Sequence, residues 1–342
     1  MMDNLGSRAG LARLSVSTLA RGVIAGALVI SMFVGVAPGA SADDDDDNDN
    51  SRGGGRRGNG NVYALTDGNE LLSFDVQTPG RIRSRRQISG IAGDLIGIDF
   101  RPADGLLYAA NSQGQIYTID TDSAAATPRS QMNVVPAGSR FGFDFNPNAD
   151  RLRIVSDQEQ NLRVNVDDGT TTTDGPLAYA AGDRNAGGNP SAVGAAYTNP
   201  DTDPNTPTTL FDVDSGLDVL TRQDPPNDGT LNTVGALTLD VADLVGFDIG
   251  MLGRSGESGS NNDNSNNDNS DDDDSDNDNS DDSWLGGGSP YSGEQALAAF
   301  QAQGGMARLY SIDLTSGAAQ NRGQIGDGET IDGLAIDPRA SR

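Results

Sequence analysis

The sequence predicts an all-β fold, a β-propeller-like ring of about five four-stranded blades in which strands from the two ends of the chain share one blade. Three observations predict it. A short pattern, Gly-apolar-(Asp/Ala)-apolar-x-Pro, recurs along the chain. A further strand follows each copy at spacings near the ~40–50-residue period of propeller blades. A first strand stands alone at the C-terminal end, and a second and third strand stand alone where the repeats begin.

The pattern occurs as Gly97-Ile98-Asp99-Phe100-Arg101-Pro102, Gly142-Phe143-Asp144-Phe145-Asn146-Pro147 and Gly333-Leu334-Ala335-Ile336-Asp337-Pro338. Looser copies sit at Gly246-Phe247-Asp248-Ile249 and between Val193 and Pro200. Alternating apolar residues closed by Pro describe a short strand and the turn after it. Second strands open at Val62-Tyr63, Leu107-Tyr108, Leu152-Arg153, Leu210-Phe211 and Leu309-Tyr310, spaced from Tyr63 by 45, 45, 58 and 99 residues. Discounting an Asp/Asn-rich insertion brings the last interval to about 50.

Third strands are expected at Glu70 to Asp75, Gln115 to Asp120, Asn161 to Asp167 and Leu217 to Arg222. Weaker fourth strands fall at Ile82 to Ile88, Gln131 to Val135, Leu231 to Leu239 and Gln320 to Ile325. Joining Ile331–Pro338 to Asn61–Asp75 completes a blade from both termini and leaves no open edge in the ring. A sixth module could hide between Ala192 and Asp240, and an open β-solenoid or a sandwich is the rival topology. Glu294 to Gln303 (EQALAAFQAQ) reads as the one helical segment.

Composition narrows the chemistry. The chain of 342 residues carries a net charge of −27 and contains no His or Cys. Without His there is no Ser-His-Asp triad, imidazole base or His-ligated metal. Carboxylates, Arg, Tyr and hydroxyls remain as catalytic groups, and hard cations such as Ca²⁺ remain as a possible cofactor. So acidic a chain without a basic patch argues against nucleic acid as a partner. The cluster Arg81, Arg83, Arg85 and Arg86 reads as a solvated edge strand guarded against aggregation.

Arg8, Arg13 and Arg21 precede an apolar run from Val23 to Ala37, and Ala40-Ser41-Ala42 supplies a cleavage pattern. Residues 1–42 are therefore expected to be a signal peptide, with a retained N-terminal anchor as the alternative. No membrane span is expected after cleavage, and the protein is expected to be secreted, periplasmic or at the cell surface. Residues 43–60 read as an acidic and Gly-rich disordered leader, 61–253 as propeller modules and 254–303 as a disordered Asp/Asn-rich insertion with a short helix at its end. Residues 304–342 read as the final strands closing the ring. The two polar tracts bury too little apolar surface to offset the entropy of ordering, and neither has the ligand spacing of an EF-hand.

The stretches IGIDFRPADGLLYAANSQGQIYTID (96–120), FDFNPNADRLRIVSD (143–157), GDRNAGGNPSAVGAAYTNP (182–200), TLFDVDSGLDVLTRQDPPNDGTLNTVG (209–235) and LVGFDI (244–249) resemble the family known as domain of unknown function 4394. The likeness runs from about Val62 to Asp248 and resumes at Arg308, with both Asp-rich tracts outside the pattern. The resemblance implies an exported, propeller-like protein and carries over no catalytic residue.

Two sets of residues are candidate sites. Asp99, Asp144 and Asp248 recur on first strands, which line the channel of a propeller, and could ring it and hold a cation. Alternatively each bonds backbone amides or a turn, a use favoured by Ala196 and Ala335 at the equivalent places in other modules. The Gly-rich loop Gly182–Pro190 offers Asp183, Arg184, Asn185 and Asn189 to a sugar, carboxylate or phosphate, or it is a connection crossing one face. Asp75, Asp120 and Asp167 read as turn residues without a function. No catalytic signature is present. The expectation is a binding or interaction module for an unknown extracellular ligand or surface component. A Ca²⁺-dependent hydrolase of lactonase or phosphoesterase type and a structural envelope or matrix protein are the alternatives.

Overall fold

The computed structural model describes residues 62–242, 245–252, 293–301 and 305–338. The expected signal peptide, acidic leader and most of the Asp/Asn-rich tract lie outside the described residues. Those described form five sheets with the strand order of propeller blades. Blade 2 runs outward through Leu95–Phe100, Leu107–Asn111, Gln115–Ile119 and Ala126–Gln131. Blade 3 follows with Phe141–Asn146, Arg151–Ser156, Asn161–Val164 and Thr171–Thr173. Blade 4 comprises Ala192–Tyr197, Leu210–Asp214, Val219–Gln223 and Thr230–Ala236, with Ala178–Tyr179 added in parallel on its outer edge.

Blade 5 is Val245–Met251, Glu294–Gln301, Ala307–Ile312 and Ala319–Gln324. Blade 1 closes the ring from both termini, as the orphan strands require. C-terminal Ile331–Ile336 pairs antiparallel with Val62–Thr66, in the register Val62↔Ile336 and Ala64↔Leu334, and Glu70–Phe74 and Ile82–Gln87 complete the sheet.

Strand alternation sends successive side chains to opposite faces of each blade, and each face packs on a neighbouring blade. The described core is accordingly split into five apolar layers, one per seam. Blades 1 and 2 meet around Tyr63, Ile98 and Phe100, and blades 2 and 3 around Tyr108, Phe143 and Phe145. Blades 4 and 5 meet around Phe211, Phe247 and Phe300, and blades 5 and 1 around Phe74, Leu297 and Leu334. The seam between blades 3 and 4, around Val155, Tyr197 and Leu210, has the smallest apolar layer. Buried arginines tie neighbouring blades together. Arg101 of blade 2 binds Asp150 and Asp167 of blade 3, and Arg153 of blade 3 reaches Tyr197 of blade 4 and Asn227 beyond it.

Five inner strands fit around one axis because each carries glycine where it meets the next. A Cβ on Gly97 would lie 2.5 Å from Phe143 Cβ, and one on Gly142 would lie 2.5 Å from Ala195 N. Gly194 faces Phe247, Gly246 faces Gly333 and Leu334, and Gly333 faces Gly97 and Ile98, so the contacts run once round the ring and return to their start. At this waist the channel narrows to a cavity of about 10 Å³, about enough for a single water.

Several local expectations are corrected. Glu294–Gln301 is a strand, not a helix; it lies between two strands with Ala296 to Phe300 buried on both faces. Its Ala and Gln favour a helix intrinsically, but burial and pairing within a sheet override propensity. Leu309-Tyr310 therefore belongs to the third strand of blade 5, not the second. The outer strand of blade 2 is Ala126–Gln131 rather than the stretch after it, and five blades, not six, close the ring. The short outer strand Thr171–Thr173 and the added Ala178–Tyr179 were not foreseen. The arginine-rich segment is an outer edge strand as expected, with Arg83 paired to Asp75 at 2.6 Å and Arg85 to Glu70 at 3.0 Å.

The waist makes a direct prediction. Gly142→Ala should lower unfolding free energy by about 1–3 kcal/mol through overpacking. Gly182→Ala, where nothing lies within 4 Å of the added Cβ, should change it by less than about 0.5 kcal/mol. Urea denaturation of the two variants checks the contrast.

Candidate functional site

The inner strand of each blade has one neighbour and one free edge, and that edge faces the axis. Its outward N–H groups need acceptors. One residue beyond the glycine waist and its apolar neighbour, the three recurring aspartates supply them. Asp99 accepts from Phe100 N at 2.6 Å and, across the seam, from Phe145 N of blade 3 at 2.8 Å. Asp144 accepts from Tyr197 N of blade 4 at 3.0 Å. Asp248 accepts from Ile249 N and from Ile336 N of blade 1, both at 2.6 Å. Phe100, Phe145, Tyr197, Ile249 and Ile336 occupy the same place in the five inner strands, so three carboxylates satisfy all five amides.

Ala196 and Ala335 are tolerated for that reason: the amides their own aspartate would have served are taken by the side chain beside them or one blade back. The ring needs no aspartate in every module. Five of the six carboxylate oxygens are engaged by backbone N–H, and the Asp144 carboxyl interacts electrostatically with that of Asp248. Backbone bonding and convergence are therefore the same arrangement. Oxygens of Asp99, Asp144 and Asp248 lie within 4.8 Å of one another, and all three residues are buried.

Three carboxylates this close, away from water, cannot all be ionised without a compensating positive charge. Burial pushes Asp99 well above the ordinary carboxylate range, and repulsion from Asp248 adds to it. Burial and repulsion from Asp99 and Asp248 do the same for Asp144. Asp248, also buried but held by two amides, is pushed up to about 6. A proton shared between Asp144 and Asp248, or a bound cation, relieves the repulsion.

The aspartates form the floor of a cavity of about 320 Å³ at the C-terminal ends of the inner strands. Its wall includes Pro102, Pro147 and Pro338, the prolines that close the repeated pattern, with Pro200 and exposed Met251 beside them. Asn199 and Asp201 add polarity on the blade 4 side, and the Asn199 amide is held by Glu294. Carboxylate oxygen is hard and anionic, so this set suits Ca²⁺ or the ammonium head of an organic molecule. The apolar collar suits a ligand with a non-polar body. Sequence reasoning found the floor but missed the collar; Met251 stands where three other modules have Pro, and its exposure is a property of the assembled ring.

The Gly-rich loop is placed differently. Asp183 accepts from Thr233 N at 2.6 Å, Thr233 Oγ1 at 2.7 Å and Asn185 N at 2.8 Å. Asn185 donates to Thr233 Oγ1, and Arg184 donates to Val234 O. These three side chains fasten the loop to the outer strand of blade 4, while Asn189 is exposed. None of the four lines the aspartate cavity, so the two candidate sets do not form one site. Of the turn residues, Asp75 and Asp120 bond their own turns, whereas Asp167 joins the Arg101 clasp. A second cavity of about 320 Å³, lined by Asp67, Asp94, Arg140 and Asp332, opens at the other end of the inner strands.

A family model described as Domain of unknown function (DUF4394) matches residues 70–271, more than half of the chain. The match enters the Asp/Asn-rich tract, which the sequence pattern placed outside the likeness, and stops short of Arg308. No curated protein matches. Among solved structures, a structural genomics protein of unknown function from Bacteroides thetaiotaomicron is similar at 14% identity and TM-score 0.39, over 53% of this chain and 46% of that one. An auxiliary nutrient binding protein from Bacteroides ovatus matches at 14% identity and TM-score 0.32, over 51% and 46%. The β-propeller domain of Cps50 (Swd1) from Myceliophteria thermophila matches at 10% identity and TM-score 0.35, over 76% and 67%. This chain thus spans less than half the length of the first two.

The raised carboxylates fix the sign of a pH effect. Between the ordinary range near 3.8 and the raised folded values, the native state holds protons that the unfolded state has lost. Stability is therefore greatest at the acidic end of that window and falls as pH rises through it. Asp144→Asn keeps an oxygen for Tyr197 N and removes one charge. It should flatten the fall between pH 5 and 8 by up to about 1.4 kcal/mol per pH unit, measured by urea unfolding at a series of pH values without added divalent ions.

Proposed function

We propose that this chain, which belongs to the family described as Domain of unknown function (DUF4394), is an exported binding propeller whose ligand places a positive charge on the aspartate floor of the collared cavity. The observation that carries this is the convergence of Asp99, Asp144 and Asp248 within 4.8 Å, buried at the base of an open cavity of about 320 Å³. Export is supported by the basic, apolar and small-residue sequence of the first 42 positions.

The floor is preorganised. Its carboxylates are held by one backbone amide from each of the five inner strands, three of them donated across a seam, so accepting a ligand orders no flexible side chain. A cation entering the floor replaces a proton, neutralises the repulsion and leaves the amide bonds in place. A metal ion would draw on carboxylate oxygens alone. An organic ammonium would add apolar contact with Pro102, Pro147, Pro338 and Met251. Both share cationic chemistry, and direct titration separates them. No helix among the described residues is long and apolar enough to cross a membrane, which is compatible with a binding role outside the cell.

Isothermal titration with Ca²⁺, Mg²⁺ and tetramethylammonium, each alone, tests the proposal. At least one should bind, more tightly at pH 8 than at pH 5 because protons compete for the same oxygens. Asp99→Asn or Asp248→Asn should weaken that binding at least tenfold, and Asn189→Ala should leave it unchanged. Absence of binding by all three probes to the folded protein, or equal binding by the aspartate variants, would overturn it.

A further inference from the structure

The seam between blades 3 and 4 is the one with the leanest apolar layer, and it contains a carboxyl group that the aspartate floor does not use. In Leu210-Phe211-Asp212-Val213-Asp214, Phe211 and Val213 enter the layer shared with blade 5. Alternation turns Leu210, Asp212 and Asp214 towards blade 3, where Leu210 packs with Val155, Tyr179 and Tyr197. Two acidic residues thus stand where alternation calls for apolar ones.

Their circumstances differ. Asp214 receives the Tyr179 hydroxyl on one oxygen and the amides of Gly216 and Leu217 on the other. Asp212 is 0% exposed, and neither of its oxygens has a hydrogen-bond partner. Gln223 Oε1 is likewise buried and without a donor, its amide nitrogen being engaged by Pro226 O. The register Leu210↔Gln223 and Asp212↔Thr221 puts Gln223 on the same face as Asp212, one pleat away.

The seam is therefore short of donors. The guanidinium of Arg153 is committed to Tyr197, Asn161, Asp174 and Asn227. Thr221 Oγ1 donates to the backbone oxygen of Asp212, not to its carboxyl. A buried acceptor left without a donor costs on the order of 1–3 kcal/mol, and more if charged. A proton on Asp212 removes the charge and provides a donor among acceptors.

We infer that Asp212 is a neutral carboxylic acid in the folded protein and acts as a pH-sensitive lock, whose ionisation loosens the seam between blades 3 and 4. The groups facing it are known on every side. Arg153 comes from the second strand of blade 3. Tyr179 comes from the segment linking the blades, which also carries Asp183, bonded to Thr233, and Asp174, neutralised by Arg153 and Arg163. Tyr197 comes from the inner strand of blade 4, and Asp214 from Asp212's own strand. The adjacent third strand contributes Thr221 and Gln223, which carry no charge on this face. Arg153 draws the Asp212 carboxyl down and Asp214 pushes it up, but burial dominates and raises it to about 8.

The raised value means that the lock's stabilisation is complete only below about pH 4 and falls progressively as pH rises, the last of it being lost as pH climbs through about 8. For a folded value near 8, the folding equilibrium constant falls about tenfold between pH 7 and pH 9 through this group alone. Opening is expected at the segments that line the seam, 177–179, 192–197 and 210–223.

Hydrogen exchange of the full chain at pH 7 and pH 9, corrected for intrinsic exchange rates, reads this directly. Wild type should lose about tenfold protection in those three segments, while Asp212→Asn should show no such loss. Asp212→Leu, which fills the position with an apolar group, serves as the second variant should the amide fail to fold. An equal pH-dependent loss in wild type and variant overturns the lock, and so does a wild type whose protection there is unchanged.

Discussion

The close approach of five inner strands around one axis is the constraint on which the remainder of this molecule depends. Glycines at 97, 142, 194, 246 and 333 allow backbone to pack on backbone, so a ring of only five blades can close. Closure turns every blade face into a seam, which is why the core is distributed as separate layers instead of one central mass. It also leaves the axial edge of every inner strand without a ladder partner. Acidic side chains at the axis answer that shortage, and the acidic floor is a by-product of solving a backbone problem.

Much of this was legible in the primary structure because the constraint acts on local residue types. Glycine, alternating apolar residues and a closing proline recur wherever an inner strand passes the axis, and the orphan strands at either end foretell the joint blade. The aspartates were visible as candidates for the same reason. Ala196 and Ala335 favoured backbone bonding over cation binding in the sequence, and the structure joins the two because a carboxylate has two oxygens and reaches the next blade.

Other features were hidden because they arise between distant segments. Glu294–Gln301 is a helix former by composition, and only its sheet neighbours and its burial on both faces make it a strand. Asp183, Arg184 and Asn185 resemble a ligand loop until Thr233, 50 residues from Asp183, claims two of them. Asp212 sits in a strand that reads as ordinary alternation, and nothing local marks its oxygens as stranded. What a sequence shows least is whether a polar group finds its partner. In a fold whose seams join residues far apart in the chain, that is settled by the ring as a whole.

The site of the long insertion in blade 5 has a practical consequence. Met251 and Glu294 are direct partners across two antiparallel strands, so the 42 intervening positions leave and re-enter the sheet at adjacent points. Such a span places no demand on the ring whatever its length, and doubling it adds only about 0.6 kcal/mol of closure entropy. Blade 5 therefore provides a natural graft point: a fluorescent reporter or affinity handle could be spliced there, at the brim of the aspartate cavity, with Leu252, which packs against the layer between blades 5 and 1, kept in place.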